Sequence, residues 1–193
     1  VAAWGPAGHR GVLAEQPAMA VCGVAGPPAG DGTWWVGGVA PNGRAAVART
    51  GNGGRSWTTR ELPLVGTARV AVLGTRVYAA VLEPGGGTLR GVFVSADRGA
   101  TFAAPPARAA GALAAPPAGA PVPLLDGRLL VAAGQAWWTS GDGGATFSQG
   151  GGTLPVVGRL ARTRAGFVAY GLFAAGYAAF SPDGLTWHKL NLH

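Results

Sequence analysis

The sequence is poor in cysteine, and this shortage excludes several kinds of site. Cys22 is the single cysteine of the 193 residues, so the chain can form neither an internal disulfide nor a thiolate metal site. The stretch around it, AMAVCGVA, is apolar, which predicts a small side chain buried in the core. His9, His188 and His193 do not have the spacing of metal ligands. The sequence therefore predicts no metal site and no cofactor.

Charged residues are also scarce, at 12% of the chain. Fifteen lysines and arginines against eight aspartates and glutamates give a formal net charge of +7. The arginines are scattered singly between Arg10 and Arg164, without a run of adjacent basic residues. A weak affinity for polyanions fits this charge. The dense basic stripe of a specific nucleic-acid binder is missing, so no such partner is predicted.

Long apolar runs are missing as well, and no transmembrane segment is predicted. The longest weakly polar stretch, residues 103–125, contains six prolines, which favours a loop. The chain begins at Val1 without a basic and then apolar signal segment. Because it does not start with methionine, we expect an exported protein, extracellular or in the cell envelope, whose signal has been removed.

The sequence does contain a repeat built on glycine-rich turns. Each copy has a hydroxyl residue, any residue, Asp or Asn, one or two positions with glycine, any residue, a hydroxyl residue and an aromatic residue. The copies contain Thr50, Asn52, Gly54, Ser56 and Trp57; Ser95, Asp97, Gly99, Thr101 and Phe102; Ser140, Asp142, Gly144, Thr146 and Phe147; and Ser181, Asp183, Gly184, Thr186 and Trp187. The Asx positions are 45, 45 and 41 residues apart, a period that indicates a repeat architecture.

The residues around each copy predict strands. Short β-rich runs bounded by Gly, Pro or Asn precede each copy, and another run follows it, while sustained helical periodicity is missing. We predict an all-β chain in one domain, 1–193: a β-propeller of about four four-stranded antiparallel blades, with the repeat turn between strands 3 and 4. The predicted blades are roughly 17–64, 65–108, 109–156 and 157–193. Residues 1–16 are an N-terminal extension or the remnant of a preceding blade.

The chemistry of the repeat predicts a structural turn. A short carboxylate or amide accepts hydrogen bonds from backbone N–H groups close by in the chain. Glycine, as at Gly99 or Gly144, supplies a positive φ that other residues resist. The hydroxyl groups tie the strand ends together, and the aromatic residue packs back onto the sheet. We therefore interpret the repeat as a hairpin staple and not as a catalytic or metal site.

The repeat resembles the Asp box, or bacterial neuraminidase repeat, of sialidase-like β-propellers. The likeness covers essentially the whole chain, with modest departures: Asn52 replaces Asp, Ser56 replaces Thr, and the last copy is one residue shorter. Families with this box include sialidases, other glycoside hydrolases, sortilin-type receptors and photosystem assembly factors. The resemblance implies the fold, with the box away from the usual ligand face, and says little about function.

An enzymatic function is not supported by the residues. The resemblance implies that a sialidase would carry an arginine triad whose first member lies in a Phe/Tyr-Arg-Ile-Pro motif, and this motif is missing. Tyr78, Tyr170 and Tyr177 lie in apolar strand patterns typical of a core. Asp31 and Asp126 are each followed by glycine and predict hairpin turns. No pair of carboxylates has a motif supporting glycosidase chemistry, so we predict no catalytic residues.

A ligand face is predicted at the loops opposite the repeat turns. The loops are residues 40–44 and 83–90, and Glu83 begins the second one. Arg44 and Arg90 lie at the entry to strand 3 of successive blades. They could present a basic rim to an acidic protein or a sugar, or could be solvated turn residues. A second set of arginines falls on or beside first strands, which line the central channel, and could bind an anion or only water: Arg69, Arg159, Arg162 and Arg164.

The tandem tryptophans Trp34–Trp35 and Trp137–Trp138 are predicted to be core residues. Adjacent side chains on a strand point to opposite faces, and both faces of a blade are covered by neighbouring blades. If an end blade is uncovered, one ring would be exposed. Four blades is the lower limit for a closed ring, so the chain is either a small closed ring or an arc completed by missing sequence or by a partner. An open propeller could self-associate.

Two functions from different classes follow from this interpretation. The first is a non-catalytic protein-binding or assembly module. The alternative is a carbohydrate-binding or sialidase/glycosidase-like domain, possibly a fragment of a larger enzyme. The partner is accordingly either a protein or a glycan.

Overall fold

The structure is a computed structural model that describes most of the chain. The described residues are 2–4, 10–12, 15–25, 32–85, 87–105, 113, 115–134, 136–150, 159–163, 165–171 and 177–191. Every regular element in these ranges is a β-strand. Within them, no helix is long and apolar enough to span a bilayer.

Seventeen strands are seen in the described ranges, and most belong to four successive antiparallel sheets. They are β1 (Ala2–Trp4), β2 (Arg10–Val12), β3 (Ala20–Ala25), β4 (Trp34–Val39), β5 (Arg44–Thr50), β6 (Thr58–Val65), β7 (Thr67–Leu73), β8 (Arg76–Leu82), β9 (Leu89–Ser95), β10 (Val122–Pro123), β11 (Leu129–Ala133), β12 (Ala136–Ser140), β13 (Ser148–Gly150), β14 (Arg159–Arg162), β15 (Phe167–Tyr170), β16 (Tyr177–Ser181) and β17 (His188–Asn191). The first sheet is β3–β6, the second β7–β9, the third β10–β13 and the fourth β14–β17, while β1 and β2 form a separate hairpin.

The predicted fold class, all-β with four-stranded antiparallel blades, is confirmed. Each sheet is an up-and-down meander, and the first strands contact one another from sheet to sheet: β7 contacts β3, and β10 contacts both β7 and β14. The second sheet differs in that, among the described residues, its fourth strand is represented by one bridge between Val94 and Ala103. Pro105 follows two residues later and packs on Gly91. A proline cannot donate to a strand ladder, which explains why Pro105 itself does not extend the pairing.

Both faces of each inner sheet are buried, and the two-residue period of a strand sorts the side chains between them. On β8, Val77, Ala79 and Val81 pack with residues of the first sheet, whereas Tyr78 and Leu82 pack with residues of the third. Among the described residues the core therefore forms three clusters, one at each contact between successive sheets. This explains why β8 and β11 are almost continuously apolar and do not alternate in hydrophobicity.

The two tryptophans of each tandem pair point to opposite faces of their sheet, as the two-residue period of a strand requires. One of the four rings is not in the core. Trp137 is 3% exposed and stacks on Trp187 of the fourth sheet, with ring centroids 5.0 Å apart. Trp138 points the other way, towards the second sheet. Trp35 is 3% exposed, whereas Trp34 is 42% exposed. The prediction that both rings of each pair are buried was wrong for Trp34, which lies on the face of the first sheet away from the second.

Cys22 is exposed, so the prediction that it is buried was wrong. The strand β3 is the first of its sheet, and its residues alternate between exposed and half-buried. The ladder with β4 shifts register between Val21 and Gly23. Cys22 lies at this irregularity, which is why its apolar sequence context does not place it in a packed face.

Glycines of the repeat turns lie close against the preceding sheets. A Cβ added at Gly99 would overlap the Trp35 ring of the first sheet, and one added at Gly144 would lie 2.6 Å from Val92 of the second. A Cβ at Gly184 would lie 2.7 Å from Leu124 of the third sheet. All three glycines also have positive φ. Each turn therefore needs glycine both for its conformation and for its approach to the preceding sheet.

The adjacent glycines Gly143 and Gly144 allow the need for a positive φ to be tested separately from the need for close approach to the preceding sheet. Both have positive φ, but a Cβ at Gly143 would lie at an ordinary 3.6 Å from Val94. We expect Gly143→Ala to lower the free energy of unfolding by about 1–2 kcal/mol, through backbone strain alone. Gly144→Ala should lower it by about 2–4 kcal/mol, because overpacking against Val92 adds to the strain. Urea denaturation of both variants measures the difference in the free energy of unfolding. An equal decrease in both would refute the close contact between Gly144 and Val92.

Candidate functional site

The third repeat turn shows how the repeated residue pattern forms a network of hydrogen bonds within one turn. The Ser140 hydroxyl donates to Asp142 Oδ1 at 2.8 Å and accepts the Gly144 N–H at 2.8 Å. Asp142 Oδ1 also accepts the N–H groups of Ala145 and Thr146. The Thr146 hydroxyl donates to Asp142 Oδ2 at 2.6 Å. Both carboxylate oxygens are therefore engaged within the turn.

The other three copies make the same network with small variations. Asp97 accepts hydrogen bonds from Ser95 and Thr101, and Asp183 accepts them from Ser181, Leu185 and Thr186. In the first copy, Asn52 Oδ1 accepts the bonds from Thr50 and the Ser56 N–H, while its Nδ2 donates to the Ser56 hydroxyl. In this copy the amide donates to the hydroxyl of Ser56, whereas in the Asp copies the hydroxyl donates to the carboxylate. The other hydrogen bonds keep their direction.

These hydrogen bonds hold the carboxylates in their charged form. The Thr146 hydroxyl, followed by its backbone N–H, lowers the pKa of Asp142 from 3.8 to about 2. Backbone N–H groups of Thr186 and Leu185 lower the pKa of Asp183 to about 2. The Thr101 hydroxyl is the main cause that keeps the pKa of Asp97 well below its usual range. A carboxylate with a low pKa and both oxygens bonded is a poor general acid or base at neutral pH.

The structure brings Arg44 and Arg90 to the same place, the end of β6. Arg44 pairs with Val65 in the ladder between β5 and β6. Arg90 Nη1 donates to the Val65 carbonyl at 3.1 Å. The Val65 side chain is 51% exposed, and both arginines are exposed. An exposed apolar side chain therefore ends β6, where one exposed arginine is its ladder partner and another bonds its backbone carbonyl.

Two acidic residues belong to this end of the sheets. Glu83 is exposed, and its backbone N–H bonds the Thr88 carbonyl across the loop. Glu61 Oε2 accepts a 2.9 Å hydrogen bond from Asn42 Nδ2, in the other loop. Neither Val65 nor Glu61 was predicted from the sequence to lie on this surface. The apolar residue Val65 ends a strand and gives no sign of exposure in the sequence.

The first strands carry Arg69, Arg159 and Cys22. The Arg69 side chain is half-buried and its Nη1 donates to the Pro117 carbonyl at 3.1 Å. Burial, and then the positive charge of Arg159, lower the pKa of Arg69. The two arginines, from the second and fourth sheets, therefore lie close enough to repel each other. Arg162 is exposed at the end of β14, and Arg164 is outside the described residues.

The remaining residues considered for catalysis do not form a reactive group in the described part of the chain. Asp126 Oδ2 forms a 2.6 Å ion pair with Arg128 Nε, and the Arg128 backbone N–H is the main cause that lowers its pKa. Tyr78 is buried in the core. Asp31 is outside the described residues. Among the residues that are described, no three His, Cys, Asp or Glu side chains cluster as metal ligands.

Three of the repeat turns are expected to be sensitive to acid. The folded pKa of Asp142 and of Asp183, about 2, lies below the reference value of 3.8. Their contribution to stability is therefore fully present above pH about 4 and is lost as the pH falls towards 2. Asp142→Asn keeps most of the bonds, as Asn52 does, so we expect a loss of only about 1 kcal/mol at pH 7 and a weaker dependence on acid.

The reciprocal variant, Asn52→Asp, should make the acid dependence steeper. Denaturant titrations between pH 2 and 5 compare both variants with the parent protein. An unchanged dependence in both would show that these carboxylates do not control acid stability.

Comparisons with known proteins show the fold. No protein-family model matches the chain, and no curated protein sequence matches it. Among solved structures, YCF48 bound to a D1 peptide matches 91% of this chain and 54% of that chain, with a TM-score of 0.60 and 18% identity. The GH74 xyloglucanase from Xanthomonas campestris matches 88% of this chain and 30% of that chain, with a TM-score of 0.55 and 21% identity. The chain thus spans about half or less of either structure. It has a β-propeller fold.

Proposed function

We propose that the chain is a non-catalytic Asp-box β-propeller that binds a protein partner through the face formed by the loops 40–44 and 83–90. The observation that carries this proposal is the convergence of Arg44 and Arg90 on the exposed Val65. We call this group, together with Glu83, the loop face. Its partner in our proposal is a protein segment with an apolar residue and at least one carboxylate.

The chemistry of the loop face suits protein recognition. Arginine is enriched in protein interfaces, where its planar head group forms several hydrogen bonds and its stem adds apolar contact. The bond between Arg90 Nη1 and the Val65 carbonyl uses one of five N–H donors and fixes the guanidinium. A fixed side chain loses less conformational entropy on binding. Val65 adds an exposed apolar side chain to this face.

The use of the carboxylates supports a non-catalytic role. Asp97, Asp142 and Asp183 are engaged in the repeat turns, and Asp126 is paired with Arg128. A propeller of similar fold, YCF48, is described with a bound peptide. At 18% identity this is an analogy of fold, and the proposal rests on the loop face itself.

The proposal is tested with charge reversals on the loop face. The purified chain is used to capture proteins from lysate and culture medium of its source, and the captured protein is identified by mass spectrometry. We expect Arg44→Glu and Arg90→Glu each to weaken its binding at least about tenfold, since each reverses an interface charge. Arg60→Glu, an exposed position on β6, is the matched control and should bind normally. Equal binding by all three variants, with unchanged melting temperatures, would disprove the role of this face.

A carbohydrate-binding role is the second candidate, and the exposed Trp34 favours it. Sugars stack on exposed aromatic rings, and Trp34 lies at the repeat-turn end of β4, paired with Thr50 and away from the loop face. If a glycan is the ligand, oligosaccharides should change the tryptophan fluorescence, and Trp34→Ala should abolish the change. Arg44→Glu should leave it intact, so the two functions are separable.

A further inference from the structure

Arg98 has an unusual backbone conformation. Its φ of 56° makes it the one non-glycine residue with positive φ in the described ranges. The equivalent positions of the first and third repeat turns are Gly53 and Gly143, with φ of 70° and 73°. The repeat turn therefore demands a left-handed residue at this position, and two other copies meet the demand with glycine.

The surroundings hold Arg98 in this conformation. Its N–H donates to the Thr75 carbonyl at 3.1 Å, and its carbonyl accepts Arg49 Nη1 at 3.0 Å. A residue with a Cβ is strained in the left-handed region, and such strain is concentrated at functional sites. Since glycine would serve the turn, the Arg98 side chain is the part of this residue that the turn does not require.

Arg98 lines a small cleft between the first and second sheets. The cleft has a volume of about 80 Å³ and is also lined by Thr33, Trp35 and Arg49 of the first sheet and by Val72 and Val77 of the second. It lies at the repeat-turn end of the strands, because Arg49 pairs with Trp35 near the end of β5. The loop face lies at the opposite end. The cleft is therefore independent of the proposed protein-binding surface.

The charges around this cleft are positive. In the described part of the chain the one ion pair is that of Arg128 with Asp126, so neither cleft arginine is paired with a described carboxylate. Asp97 is next to Arg98 in the chain, but its oxygens accept hydrogen bonds from Ser95 and Thr101. The bond to the Arg98 carbonyl fixes the orientation of Arg49.

We propose that this cleft binds an oxyanion, a carboxylate or a sulfate group carried by a ligand, between Arg49 and Arg98. Guanidinium groups bind planar and tetrahedral oxyanions through paired N–H donors. The apolar walls of Trp35, Val72 and Val77 exclude water from one side and strengthen that attraction. The small volume suits one such group rather than a whole sugar ring.

The test uses sodium sulfate and sodium acetate as separate probes, each titrated at constant ionic strength with sodium chloride. Binding is followed by NMR through the amides of Arg98 and Gly99 and the indole N–H of Trp35. The variants are Arg98→Gly and, as a matched control that removes one exposed arginine from the first repeat turn, Arg55→Gly. Thermal unfolding of each variant is measured in parallel.

We expect saturable shifts in the parent protein and in Arg55→Gly with at least one probe, and at least tenfold weaker binding in Arg98→Gly. The melting temperature of Arg98→Gly should stay unchanged or rise by about 2–4 °C, because glycine relieves the strain. A response to sulfate alone assigns a tetrahedral group, and a response to acetate assigns a carboxylate. No saturable shift with either probe, equal binding in Arg98→Gly, or a fall in its melting temperature would overturn the proposal.

Discussion

The architecture depends on the close approach of each repeat turn to the sheet before it. Gly99 lies against Trp35, Gly144 against Val92 and Gly184 against Leu124. The hydrogen bonds of the hydroxyl and Asx side chains fix the conformation of the turn. The turn then places its glycine against the preceding sheet. A weakened network would therefore disturb both the hairpin and the packing between two sheets. The local hydrogen bonds and the apolar core are coupled through these glycines.

This use of polar groups shapes what the surface can do. Three of the five aspartates serve the turns, so the surface chemistry is dominated by arginines. Those arginines occupy different places: Arg44 and Arg90 at one end of the strands, Arg49 and Arg98 at the other, and Arg69 on a first strand. Guanidinium groups are hydrogen-bond donors with a fixed positive charge, which is the chemistry that both proposals above use.

Much of the fold could be predicted from the sequence, because the repeat fixes the turns and the spacing fixes the sheets. The exposure of single residues could not. Cys22 and Trp34 have apolar neighbours in the chain, but their exposure depends on which face of a strand is covered. Likewise, Val65 gains its setting from Arg90, which is 25 residues away. The left-handed conformation of Arg98 is implied by comparison with Gly53 and Gly143, yet the cleft beside it requires two sheets to be placed together.

The contact between a turn glycine and the preceding sheet has a consequence for the evolution of such chains. Each unit of about 45 residues contributes its own turn glycine to the interface with the preceding sheet and receives the turn glycine of the unit that follows. A duplication of one unit in the gene would add a sheet together with a ready-made interface. The sequences of the units could then diverge separately, as Asn52 in the first turn and Arg98 in the second illustrate. The packing of each turn glycine against the preceding sheet would stay the same.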